Sequence, residues 1–171
     1  MDIREALLAE HSKAQCNRIV KWIGSDQKRF DQLFTLFTGK EYRVIQRAAW
    51  PVSYAVEAHP TLIHKHWGKL IKFMQDPLVH VAVKRNSLRL MQDLDIPAKY
   101  HGEIMNLCFD YIMRINEAAA VKAFALTVLD NLSKTYPEIK QELATIIETQ
   151  WDAETPAFRS RGRKILKKIG H

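Results

Sequence analysis

Apolar residues recur along this chain at intervals of three and four, which is the spacing of one face of an α-helix. Ile45, Ala49 and Val52 lie on one such face, and the same spacing returns in later segments. No stretch alternates apolar and polar residues between glycine-rich turns, as a half-buried strand does. We therefore predict an all-α chain of about nine helices, at residues 3–23, 26–38, 41–58, 61–75, 78–94, 98–114, 117–134, 138–151 and 156–168.

Prolines and glycines mark the predicted helix ends. Asp76-Pro77 and Thr155-Pro156 each combine an N-cap residue with proline at the first helical position, where the missing N–H group costs nothing. Gly24 is placed where a helix should end. Pro51 falls inside a helical pattern, so we expect it to kink that helix.

The helices repeat at intervals of 37 or 38 residues. A small residue occupies the same place in four successive helices, at Ala49, Ser87, Ala125 and Gly162. Apolar residues stand four positions before it (Ile45, Val83, Val121, Phe158) and three after it (Val52, Leu90, Val128, Ile165). The second helices align at Leu70, Ile104 and Leu143 and again at Met74, Cys108 and Ile147, and a weaker leading unit is anchored on Cys16. A helix pair of this length cannot bury its apolar stripe alone, so we predict that neighbouring pairs stack.

The first helices of these units resemble a known repeat. Arg43–Trp50, Val83–Leu88 and Val121–Leu126 each combine Val or Ile, a basic residue, and a small residue followed by a large apolar one. This pattern resembles the first helix of a HEAT repeat. The resemblance implies a right-handed, armadillo-like α–α superhelix of about four helix pairs, with second helices lining the concave face. We expect a single domain, residues 1–171, with units at about 1–39, 40–76, 77–115 and 116–154 and a basic capping helix at 155–171.

Composition narrows the class of protein. Apolar residues make up 47% and charged residues 26% of 171 residues, which excludes a disordered chain and a disulfide scaffold. Cys16 and Cys108 have no partner nearby in the sequence, so we predict reduced, buried thiols. The longest stretch without a charged residue is too short to span a membrane, and the first residues lack the apolar core of a secretory signal. We expect a cytoplasmic protein that does not associate with membranes.

Most of the net charge of +7 belongs to the last predicted helix. Residues 40–99 contain 10 basic and 5 acidic residues, whereas residues 100–158 contain 4 and 9. The last thirteen residues contain six basic residues and no acidic one: Arg159, Arg161, Arg163, Lys164, Lys167 and Lys168. This helix is either a solvated cap or a contact surface for nucleic acid or an acidic protein.

A second basic feature is a stripe of Lys65, Lys69 and Lys72 on one helix, near His64 and Trp67. The resemblance places this stripe in the concave groove, where lysines would hold phosphates and an aromatic ring would stack on bases. The alternative is a solvated face.

A further basic row is predicted from the repeat. Lys84, Lys122 and Arg159 share one repeat position, so we expect them to form a row across adjacent helices.

Catalytic and metal-binding patterns are missing from the sequence. The glycines are scattered, so no phosphate-cradling loop is formed, and neither cysteine has zinc-site spacing. His64 and His66 are two residues apart and face different sides of a helix. We predict no catalytic residue, no metal and no cofactor.

Our first hypothesis is a non-catalytic binding or scaffold module whose partner is another protein. The alternative is nucleic-acid binding, because HEAT-like repeats also build the alkylation-repair DNA glycosylases, which this chain resembles in being small, basic and helical. That resemblance implies roles for Trp67 and Asp110 around a lesion. The chain departs from it in its shorter length and in its acidic later helix with Glu138, Glu142 and Glu148. The sequence does not define an oligomeric state.

Overall fold

The computed structural model describes residues 1–170, and these residues form helices and loops without a strand. The α-helices are α1 (Ile3–Ala9), α2 (Lys13–Ile23), α3 (Gln27–Phe37), α4 (Tyr42–Ala58), α5 (Trp67–Met74), α6 (Val81–Met91), α7 (His101–Met113), α8 (Ala119–Leu132), α9 (Lys140–Gln150) and α10 (Pro156–Ile169). Short 3-10 helices lie at Pro60–His66, Ala98–Tyr100, Pro137–Ile139 and Trp151–Ala153. The predicted all-α class is confirmed. The predicted capping segment ends on His171, which lies outside the described residues.

The chain divides into two compact units, Met1–Asp95 and the residues from Ile96 onward. In the first unit α4 is central, because it packs against α1, α2, α3 and α6. Its core is rich in aromatic side chains, including Phe30, Phe34 and Phe37 of α3. In the second unit α8 packs against both α7 and α10, and α10 also packs against α9.

The small residues of the repeat lie in the core. Ala49, Ser87 and Ala125 are 0% exposed, and Gly162 is also buried. The apolar residues predicted four positions before and three positions after each of them are all buried as well. A Cβ atom on Gly162 would lie 2.8 Å from Cγ2 of Ile147 and 3.3 Å from the ring of Trp151. At this position, the close approach of α10 to α9 depends on the missing side chain.

The predicted first helix, residues 3–23, is wrong, because the chain breaks between α1 and α2. Ser12 begins a new helix by accepting a hydrogen bond from the backbone N–H of Gln15 at 3.1 Å. The carbonyl groups at the end of α1, which have no partner within the helix, accept hydrogen bonds from side chains. Gln15 donates to the carbonyl of Ala6 at 2.6 Å, and Arg47 of α4 donates to those of Leu7 and Leu8 at 3.0 and 2.7 Å. Side-chain donors far along the chain therefore stabilise an end that local sequence does not reveal.

Other predicted ends are partly confirmed. Gly24 ends α2 with a positive φ of 49°, and Thr155 caps α10 by accepting from the N–H of Phe158. Asp76 instead caps a turn, with the N–H of Leu78 donating to its carboxylate at 2.9 Å. The next helix begins at Val81, where Nδ1 of His80 accepts from the N–H of Ala82. Pro51 lies buried inside α4, and its kink stays a prediction.

We predict that Gly162→Leu destabilises the protein by about 1–3 kcal/mol, because the new side chain must overpack against Ile147 and Trp151. Gly102→Leu is the matched control. Gly102 lies exposed in α7, and no atom lies near the position of a Cβ there. The change should therefore leave the stability unchanged or raise it by at most about 1 kcal/mol. Urea unfolding followed by circular dichroism measures both free energies. Equal stability of the two variants would contradict the close helix approach.

Candidate binding surface

The predicted lysine stripe lies on the 3-10 helix Pro60–His66 and on α5. His64, Lys65, Lys69 and Lys72 are all exposed. Nζ of Lys65 lies 2.5 Å from Oδ2 of Asp31 in α3, so its charge is largely compensated. His64, Lys69 and Lys72 form no ion pair within residues 1–170. We call these three residues the α5 stripe; they are the uncompensated part of the predicted site.

Trp67 does not belong to an open surface. Its side chain is 1% exposed, and its Nε1 atom is buried without a hydrogen-bond partner. The apolar stripe of α5 turns this indole into the core of the first unit, because Leu70, Ile71 and Met74 are buried on the same helix. The expectation that Trp67 stacks on a ligand is therefore corrected: its ring contributes to packing. Asp110 is an exposed residue of α7 in the second unit.

A cluster around Asp31 joins α3 to the segment that carries the stripe. Nε2 of His66 lies 2.7 Å from Oδ1 of Asp31, and Nε2 of Gln27 donates to the same oxygen at 3.0 Å. The His66 ring stacks on Phe34, with 4.1 Å between ring centroids. No local sequence pattern predicts the cluster, because its two halves lie about one repeat apart along the chain.

These contacts shift two pKa values. Burial raises the pKa of Asp31, but hydrogen bonds from Lys65, Gln27 and His66 outweigh burial and lower it to about 2. Burial lowers the pKa of His66, although its hydrogen bond to Asp31 acts in the opposite direction. Asp31 therefore remains a carboxylate at neutral pH and keeps Lys65 paired.

The basic terminal helix docks by its apolar side, as predicted, because Phe158 and Ile165 of α10 are buried. Several of its basic residues contact the same unit. Nζ of Lys168 lies 2.6 Å from Oδ2 of Asp130, and Arg161 donates to Oγ1 of Thr127. Arg163 lies over Trp151, with its Cζ 5.7 Å from the ring centroid, and Arg159 is half-buried. Lys164 and Lys167 are exposed and form no ion pair with any described residue.

The predicted row of Lys84, Lys122 and Arg159 is wrong at its middle member. Lys122 is 1% exposed, forms an ion pair with Glu154, and donates to Oε1 of Gln150 at 3.1 Å. Glu154 is itself largely buried, with 10% of its side chain exposed. A buried ammonium group is stable only with such partners, so Lys122 fixes α8 to the segment that precedes α10.

A second polar surface, which the sequence pattern does not predict, lies on α4 and α6 of the first unit. Cζ of Arg89 in α6 lies 4.3 Å from the ring centroid of Tyr54 in α4. The centroids of Trp50 and Tyr54 are 5.9 Å apart, and His11 contacts Trp50 edge-on. Trp50 and Tyr54 share a face by their spacing of four, which is a local signal. Arg89 comes from the next repeat, so the full arrangement has no such signal.

The remaining chemistry of the described part of the chain is sparse. Cys16 and Cys108 are free and buried, and burial raises the pKa of Cys16 to about 11. Within residues 1–170, no group of three or more His, Cys, Asp or Glu side chains is arranged to hold a metal ion. None of the described helices is long and apolar enough to cross a membrane.

Stacked helix pairs with small residues at a fixed repeat position define a helical repeat protein. A family model for the HEAT repeat domain matches residues 3–169, so the chain belongs to the HEAT repeat family. Domains of this family are helical scaffold modules that commonly mediate protein interactions. No curated protein and no solved structure matches the chain significantly.

We predict that Asp31→Asn changes the acid sensitivity of folding. The pKa of Asp31 is about 2 in the folded protein and about 4 in the unfolded chain. As the pH falls from about 4 to about 2, the unfolded chain binds a proton here that the folded protein does not. Stability present above pH 4 is therefore lost in this window, on the order of 1 kcal/mol after allowance for partial exposure.

Urea unfolding at several pH values between about 2.5 and 5 measures this loss. The variant should be less stable than the wild type near pH 5, and the difference should shrink toward pH 2.5. A constant difference across the range would contradict the lowered pKa. Asp2→Asn, which changes a carboxylate outside the cluster, serves as the control.

Proposed function

We propose that this protein is a non-catalytic binding module that holds an acidic segment of a partner protein on the α5 stripe. The observation that carries the proposal is that the ammonium groups of Lys69 and Lys72 on α5, next to the exposed His64, are exposed and lack ion pairs within residues 1–170. Exposed charges without partners steer association with a surface of opposite charge. A cytoplasmic location is part of the proposal and is supported by the two free, buried cysteines.

Nucleic-acid binding, including a glycosylase-like repair role, is the alternative. The same lysines would hold a phosphate backbone. Sequence-tolerant binding of single strands also uses aromatic rings on which bases stack. Trp67, the aromatic residue predicted for this purpose, is buried in the core. The stripe therefore offers positive charge without an aromatic ring on which bases could stack, and this favours a protein partner.

Charge reversal of the stripe tests the proposal. Lys69→Glu/Lys72→Glu should reduce recovery of the partner by about tenfold or more in affinity purification from the native cell, because attraction becomes repulsion. The matched control is Lys164→Glu/Lys167→Glu, which makes the same change on α10 at two exposed lysines that also lack ion pairs. Loss with the control variant alone would assign the partner to α10. Unchanged recovery with both would contradict the proposal.

Fluorescence anisotropy with labelled duplex and single-stranded DNA tests the alternative. Neutralising about two phosphates with Lys69 and Lys72 would give a log–log salt slope of about −2 on duplex DNA. We expect no saturable binding near physiological salt. Saturable binding with that slope, abolished in Lys69→Glu/Lys72→Glu, would replace the protein partner with nucleic acid.

We further propose that residues 1–171 form one repeat domain with the unit boundaries predicted from the sequence. One cooperative domain requires every probe to give the same unfolding midpoint. In Trp151→Phe, fluorescence reports only on Trp22, Trp50 and Trp67, which all lie within residues 1–95. Its midpoint in urea should equal the midpoint from far-UV circular dichroism. Two separate midpoints would show that residues 1–95 unfold on their own.

A further inference from the structure

We infer that Lys13, Trp50, Tyr54 and Arg89, which we call the Tyr54 patch, bind a carboxylate of an acidic peptide segment. The inference rests on the proposed protein-binding function, but it places a contact on α2, α4 and α6 and not on α5. All four residues belong to the first compact unit.

Arg89 is held in place with donors to spare. Its guanidinium group lies over the Tyr54 ring, with Cζ 4.3 Å from the ring centroid, which is a cation–π contact. Its nearest carboxylate oxygen, Oε2 of Glu57, is 3.7 Å away, which is too long for a hydrogen bond. Glu57 is also 60% exposed in its side chain. A guanidinium group carries five N–H donors, so several remain for a ligand.

Polar and positively charged groups from three helices affect Tyr54. Hydrogen bonds from the side chains of Trp50 and Arg89 lower the pKa of Tyr54 below its ordinary value, and the charge of Lys13 acts in the same direction. Lys13 is exposed on α2 and forms no ion pair in the described part of the chain. The one N–H group of Trp50 is used by Tyr54, whereas the Tyr54 hydroxyl proton, the remaining N–H groups of Arg89 and the exposed ammonium group of Lys13 are left for a ligand. A carboxylate accepts hydrogen bonds from donors of this kind.

The aromatic rings of the patch favour an acid over a nucleobase. Arg89 covers one face of Tyr54, and Trp50 makes edge contacts with both His11 and Tyr54. A base needs an open ring face for stacking, whereas a carboxylate needs only outward N–H groups.

A cleft of about 140 Å³ also adjoins Arg89, but it is lined by Glu57 and Asp93. These carboxylates repel an acid, so the contact is assigned to the side of Lys13 and Tyr54.

The indole N–H signal of Trp50 in a ¹⁵N–¹H correlation spectrum gives a direct readout. The chain has four tryptophans, and Trp50→Phe identifies the signal by its disappearance. The probe is a synthetic peptide of alternating glutamate and glycine. We expect the Trp50 signal to shift saturably during titration, while the signals of Trp22 and Trp151 stay in place. A Trp50 signal that does not shift would overturn the inference.

Two variants of the patch should raise the Kd for the peptide by about tenfold each, the effect of losing one charge-assisted hydrogen bond. Arg89→Gln removes the guanidinium group over Tyr54, and Lys13→Gln removes an exposed charge that forms no ion pair, so a folding defect in one does not affect the other. Lys164→Gln on α10 is the matched control and should leave the Kd unchanged. A Kd raised equally in the patch variants and in this control would show a general charge effect and would overturn the site.

Glu57→Gln should act in the opposite direction and lower the Kd by about two- to threefold, because it removes the carboxylate nearest to Arg89. Glu5→Gln, an exposed carboxylate on α1, is its control and should have no effect. An equal gain in both variants would contradict a local competition at Arg89.

Two further arms separate the outcomes. Lys69→Gln/Lys72→Gln in the same titration reports on the α5 stripe, so failure of the proposed function and failure of the Tyr54 patch give different patterns. A single-stranded oligothymidylate that shifts the Trp50 signal at lower concentration than the peptide would replace the peptide with nucleic acid and overturn the choice of ligand.

Discussion

The close packing of helices at one small residue per repeat is the constraint on which the rest of this structure depends. A pair of helices this short has an apolar stripe that it cannot bury alone, so each pair gains stability only from a neighbour. At Gly162 the neighbour approaches until no space remains for a Cβ atom. Buried apolar residues stand at fixed positions before and after each small residue. The other faces of the helices carry the polar contacts.

Those polar contacts also follow the repeat. Several side-chain pairs join residues about one repeat apart along the chain: Arg4 with Glu41, Asp31 with Lys65, Ser53 with Asn86, Lys122 with Glu154, and Asp130 with Lys168. Each pair links one helix pair to the next, because neighbours in the stack are separated by one repeat length in sequence. The apolar stripe thus brings the helices together, and the pairs fix their position with directional contacts.

This arrangement explains which features were predictable from the sequence. The spacing of apolar residues within one helix predicted the all-α fold and the core positions, since burial of a stripe depends only on local periodicity. The break between α1 and α2 has no local signal, because its capping donor comes from Arg47, about 40 residues further along the chain. The lysines around Trp67 predict a place in a groove, although the helical position of Trp67 belongs to the apolar face. Local spacing shows which residues share a face, but it does not show what covers that face.

The sequence likewise does not show which basic residues are paired with a carboxylate in the fold. A count of basic residues treats Lys65, Lys122 and Lys168 as equal to Lys69, but the first three are held by carboxylates of the neighbouring repeat. Other exposed cations have no ion pair with a described residue; they lie on several helices and include Lys69 and Lys72 of α5, Lys164 and Lys167 of α10, and Lys13 of α2. A basic residue therefore indicates a binding surface only where its side chain is exposed and no carboxylate of the protein compensates its charge. The proposal of an acidic partner segment rests on Lys69 and Lys72, two such residues on one face of α5.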